Sequence, residues 1–172
     1  MVAPPNEQAD SPELKLYAAT SGFNGLFSPS HVFAWQLEIN DVLLCSNSLG
    51  PPELIPGTID KGFYAALLEA LQHAPQRSHI RLLAPRGSEL FWVFSQSLEE
   101  RQKAGYRKKT SKGKTLRSNH TLQRQVDAYC LDHGLILTAA EPVSSHEIEA
   151  RFSVEDDAKQ RLRDACGADE LA

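Results

Sequence analysis

With 172 residues, 41% of them apolar, the chain can bury one proper core and is short for two. Its formal net charge is -4, and its three cysteines (Cys45, Cys130, Cys166) lie far apart without a C-x-x-C pair, which argues against a disulfide framework or a zinc ribbon and for a reducing cytosol. The start, MVAPPNEQADSPE, lacks a basic n-region and an apolar run, and no stretch approaches the roughly 20 apolar residues of a membrane span. The expectation is a cytoplasmic protein with no membrane partner: a disordered tail over 1–12, one domain over 13–166 and a short tail over 167–172.

In chain order, LKLYAAT (14–20) reads as a first strand, and the turn-rich SGFNGLFSPS separates it from HVFAWQLEI, an apolar, β-leaning second strand. Asn40-Asp41 then marks a hairpin into VLLCSNS. After the breakers GPPELIPG, TIDKGFYAALLEALQHA places Phe63, Leu67, Leu68 and Leu71 at helical spacing, with Thr58 positioned to cap. HIRLLA (79–84) is a short buried strand, and SELFWVFSQSLEERQ a helix with Leu90, Phe91, Phe94 and Leu98 on one face. HTLQRQVDAYCLDHG is a helix that starts at an Asn119 cap and stops at Gly134. LILTAAEP is a fifth strand, and SVEDDAKQRLRDAC a closing helix with acids in its first turn. Three hairpin-linked strands followed by helix-linked strands predict an α/β (α+β) domain: a five-stranded mixed sheet with helices on both faces.

Charge is distributed unevenly. Eight of the 18 basic residues fall in 101–117 (Arg101, Lys103, Arg107, Lys108, Lys109, Lys112, Lys114, Arg117) with no acid among them, which leaves 10 bases against 22 acids elsewhere. Cations gathered on one loop displace the counterions condensed on a nucleic acid, while an acidic body discourages indiscriminate coating. Tyr106 lies within the cluster as a candidate stacking group.

This element order, together with AGYRKKTSKGKTLRSNHTL, resembles the type-1 ribonuclease H proteins of the ribonuclease H-like superfamily, from about Leu14 to Ala165. The stretch is similar to that family's basic protrusion, and Asn119 and Leu122 match its closing Asn and the Leu three residues on. The resemblance implies a protrusion that grips an RNA/DNA hybrid, here through Arg107, Lys108, Lys109, Lys112, Lys114 and Arg117, with Asn119 as a cap or a sugar-phosphate hydrogen bonder. It also implies cleavage of the RNA strand by two metal ions held on carboxylates. The carboxylate positions are largely missing: Ala19 or Thr20 stands at the first, Asp60 or Gly62 at the second, and Pro85 or Arg86 at the third. At the last, His146 and Asp156 keep the family's spacing of a loop His about ten residues ahead of a final Asp, with Asp157 one position along. Mg²⁺ needs such oxygen ligands, so the implied activity is binding without catalysis, with no cofactor expected, and Mg²⁺ or Mn²⁺ only if the protein is active.

Other chemistry is poorly supported. There is no G-x-S-x-G elbow, Gly-rich P-loop or H-E-x-x-H. SHEIE (145–149) gathers a His and two Glu that could face a metal, though from a predicted loop, and FWVF (91–94) reads as core. The sequence therefore predicts a catalytically inactive nucleic-acid binder, alone or beside a protein partner in a nucleic-acid-processing complex. Two alternatives are an active nuclease using Asp60, Asp156 and His146, with Asp157, and an interaction module whose basic loop docks an acidic partner.

Overall fold

A computed structural model describes residues 13–24, 29–84, 86–110 and 112–167, with backbone only at 23, 24, 109 and 110. The two terminal tails (1–12 and 168–172) and Pro85 lie outside the described residues.

Strand β1 (Leu14–Asn24) pairs antiparallel with β2 (Pro29–Ile39) over eleven residue pairs, so the first strand continues four residues beyond its predicted end. The hairpin to β3 (Val42–Ser46) turns on Asn40 and Asp41, at φ 49° and 64°. Two successive left-handed residues match the right-handed twist of the flanking strands, and Asn and Asp tolerate that region. A two-residue strand, β4 (Ile55–Pro56), pairs with β2 and was not anticipated.

Helix α1 (Ile59–Leu71) starts where Thr58 predicts, although the Thr58 side chain makes no capping bond. Strand β5 (His79–Leu83) joins β1 in parallel. The single helix expected over 88–102 is two, α2 (Glu89–Phe94) and α3 (Leu98–Lys103). The break has a local cause: Ser97 and Glu100 form a reciprocal capping box, which starts a new helix instead of extending the old one. The basic loop proves to be a ribbon, β6 (Arg107–Thr110) paired antiparallel with β7 (Gly113–Leu116). Helix α4 (His120–His133) ends on left-handed Gly134, as expected, and β8 (Ile136–Ala140) pairs in parallel with β5.

The closing helix α5 (Ser145–Cys166) begins eight residues earlier than predicted, because Ser144 and Glu147 form a second capping box. SHEIE is consequently helix, not loop.

The main sheet runs β3-β2-β1-β5-β8, with β4 off β2. One face buries Leu14, Leu16, Leu37, Ile80 and Leu82 against α1, α2 and α4. The other buries Tyr17, Ala19, Ala34 and Leu83 under Ala150, Val154 and Ala158 of α5. Arg161 fastens the far end of α5 to the edge of the sheet, donating to the carbonyls of Phe33 and Asn47 at 3.1 and 2.7 Å. Among the described residues no helix is long and apolar enough to cross a membrane.

Candidate functional site

The ribbon rises from a buried anchor. After α3 the chain turns through Gly105 and Tyr106, at φ 62° and 58°, and Arg117 N–H donates to the Tyr106 carbonyl to close the base of the ribbon. Arg101, counted within the basic run, is only 4% exposed and does not belong to the grip. Its Nε and Nη2 donate to the two carboxylate oxygens of Asp127 at 2.9 and 2.6 Å, and Nη1 donates to the carbonyls of Val93 and Gln96. The Arg101 side chain thereby ties down the end of α2 as well as α4. Tyr106 is buried too, so it offers no face for stacking a base. Burial and the adjacent Asp127 push its hydroxyl up to about 12, so it stays protonated and donates to Asp127 Oδ2 at 2.9 Å. Arg124 covers its ring at 5.0 Å.

Above this anchor Arg107, Lys108 and Lys114 are exposed and take part in none of the ion pairs formed among the described residues. Lys112 is exposed at the tip, and the register sets Lys109 directly across from Lys114. Asn119 does not serve as expected. It occupies the N-cap position of α4 without a capping bond, is buried, and donates to both Glu89 oxygens at 3.3 and 3.1 Å. Glu89 also accepts from the Tyr64 hydroxyl at 3.2 Å, so Asn119 ties the start of α4 to α2 and, through Glu89, to α1.

Of the carboxylate positions implied by the resemblance, Ala19 and Thr20 line a cleft of about 160 Å³ where β1, α1 and α5 meet. Ala18, Ala19, Thr20, Phe63, Arg151, Glu155 and Lys159 line it. Its carboxylate, Glu155, is bound to Arg151 at 3.0 Å. Gly62 has no room for a side chain: a Cβ there would sit 2.6 Å from His31 Cδ2 and 2.7 Å from Thr20 Cγ2. Asp60 and Asp156 are both exposed, and neither lines the cleft. Arg86 is exposed beside Glu141 at 3.8 Å. His146 and Asp156 share α5 but stand ten residues apart, roughly 15 Å along its axis, so the structure does not bring them together. Asp157 is half-buried, and burial and Asp156 push its carboxyl up.

The start of α5 carries charge chemistry that the sequence did not reveal. Glu147 is 2% exposed and accepts from the N–H groups of Val143 and Ser144, both at 3.1 Å. It also meets Lys15 Nζ and Arg81 Nη1, each at 3.1 Å. Burial alone would push its carboxyl up; the two backbone donors and the Lys15 ammonium outweigh that and hold it at about 2. A carboxyl lowered by folding contributes stability above the ordinary Glu range and loses it as pH falls toward its folded value. Glu147→Gln is expected to lower the unfolding free energy at neutral pH by about 2–3 kcal/mol. The gap to wild type should close between about pH 5 and pH 2 in urea unfolding, and a gap that persists through that window would rule out this role. Beside it, His146 Nε2 lies 2.9 and 3.0 Å from the two oxygens of buried Glu38, and that contact pushes the imidazole above its usual range.

No family model and no curated protein matches the chain. Solved structures do. LC11-RNase H1, isolated from compost, is 11% identical with a TM-score of 0.57, over 90% of this chain and 99% of that one. The PFV RNase H domain is 14% identical with a TM-score of 0.57, over 89% and 96%. The fold is ribonuclease H-like. LC11-RNase H1 in complex with an RNA/DNA hybrid is similar at 12% identity and a TM-score of 0.56, over 90% of this chain and the whole of that one. This ribonuclease H-like fold has the predicted mixed sheet with helices on both faces, and departs from the prediction in its added strand β4, in the helix split into α2 and α3, and in the ribbon that replaces the basic loop.

Proposed function

We propose that the chain is a ribonuclease H-like nucleic-acid-binding protein that holds the backbone of an RNA/DNA hybrid or duplex on its β6–β7 ribbon and does not perform two-metal hydrolysis. One observation carries this reading: Arg107, Lys108, Lys112 and Lys114 are exposed together on one ribbon, while the cleft offers a single carboxylate already bound to Arg151. The backbone contacts are Arg107, Lys108, Lys109, Lys112, Lys114 and Arg117. Lysines and arginines of this kind position a duplex without reading its bases, so discrimination rests on A-form shape and 2′-hydroxyls. The hybrid-bound state of LC11-RNase H1 supports the choice of ligand.

Two-metal cleavage requires hard oxygen ligands that replace much of the hydration of Mg²⁺. A cleft with Arg151 and Lys159 facing Ala19 and Thr20 repels a divalent ion where the mechanism needs two. A labelled hybrid is therefore expected to shift in a gel while remaining uncut in Mg²⁺ or Mn²⁺. Metal-dependent cleavage that disappears in Asp156→Ala would establish the active nuclease instead. A shift with an acidic polypeptide but with no nucleic acid would establish the interaction module.

A further inference from the structure

We propose that Glu38, Asp41 and His146 form a binding site for one divalent transition-metal ion, with Zn²⁺ the ion their donor set fits. The three come from the end of β2, the β2–β3 turn and the first turn of α5, and each offers a ligand atom within 4.8 Å of the others. His146 Nε2 lies 2.9 Å from Glu38 Oε1 and 3.9 Å from Asp41 Oδ1. Zn²⁺ holds nitrogen and oxygen ligands at about 2.0–2.2 Å, so atoms sharing one ion stand roughly 3–4 Å apart and little movement is needed. An imidazole with two carboxylates suits zinc, whereas magnesium and calcium favour all-oxygen sets.

Charge and a buried hydroxyl without a regular hydrogen bond support the same assignment independently. The network holds four carboxylates, Glu13, Glu38, Asp41 and Glu147, against two fixed cations, Lys15 and Arg81. With His146 neutral, two negative charges stay uncompensated, which matches a divalent ion. Tyr17 is 1% exposed, and its hydroxyl makes no hydrogen bond of regular geometry among the described residues, although Glu38 is near enough to interact with it and Glu147 and Asp41 are further charged neighbours. A buried phenol without a well-formed hydrogen bond is costly, and a water or hydroxide on an ion beside Glu38 would supply one. Glu38 is fixed by Gln36 Nε2 at 2.9 Å, while Asp41 and His146 are partly exposed and give the ion access. Lys15 Nζ, now 2.6 Å from Asp41 Oδ1, keeps Glu147 at 3.1 Å if the ion takes its place. Glu38 pairs with Lys15, four residues along β1 from Ala19, so the site stands roughly 13 Å along the strand from that residue of the cleft and does not depend on nucleic-acid binding.

The test is calorimetric titration of the chelator-treated full chain with Zn²⁺, and with Mg²⁺ in parallel. One Zn²⁺ per chain is expected, bound at least tenfold tighter than Mg²⁺. His146→Ala and Asp41→Asn alter partly exposed side chains, so the fold is expected to persist by circular dichroism while Zn²⁺ affinity falls at least about tenfold. Tyr17→Phe should weaken binding by about tenfold as the loss of an outer partner. Absence of saturable Zn²⁺ binding in the wild type would overturn the proposal. So would uptake of equal affinity in His146→Ala, which would place the ion elsewhere, for example at the cysteines.

Discussion

Replacing Asp127 by Ala is expected to lower the unfolding free energy by about 3–5 kcal/mol, read as a shift of the urea midpoint. Asp127 is 3% exposed and accepts two bonds from Arg101 and one from Tyr106. Its removal leaves a guanidinium buried without a counter-charge and a phenol without an acceptor, and both are more costly than the pair itself is favourable. The ribbon is rooted on these residues, so limited proteolysis should open it in the variant while the sheet stays folded. A double change, Arg101→Met with Asp127→Leu, removes both charges and is expected to recover a large part of the loss. A loss below about 1 kcal/mol in Asp127→Ala would mean that water reaches the pair and that the anchor is not a buried one.

The second large effect concerns binding. Arg107→Ala, Lys108→Ala and Lys114→Ala together should weaken hybrid binding by roughly two orders of magnitude at about 0.1 M salt. All three side chains are exposed and outside every ion pair among the described residues, so the urea midpoint should barely move. The weakening should be similar for hybrids of unrelated sequence, since phosphate contacts carry no base information. A loss confined to one sequence would point to base contacts and contradict the backbone reading.

Much of this fold was legible because its signals are local. Asn40-Asp41 between apolar strands, Gly134 after an apolar stripe, and strands alternating with helices each reflect backbone preferences of a few residues. The two misplaced helix boundaries were legible in principle: Ser97 with Glu100 and Ser144 with Glu147 are both S-x-x-E capping boxes. Contacts between distant residues were not legible. Arg101 looks like one more loop cation until Asp127, 26 positions on, is placed beside it. Asn119 reads as a cap until Glu89 takes its amide. Glu38 and His146 meet across 108 positions, and no periodicity encodes such a pairing. The resemblance to ribonuclease H directed attention to the groove, yet spacing alone selected Asp156, which does not line the cleft, where Arg151 and Glu155 of the same helix do.

The salt dependence of hybrid binding by the unaltered chain tests the central claim most directly. Six cations on and beside the ribbon, held on phosphate, predict a plot of log affinity against log salt with a slope of about -5, made shallower by nearly 3 when Arg107, Lys108 and Lys114 become Ala. A slope shallower than about -1 in the wild type, or one left unchanged by those substitutions, would contradict it.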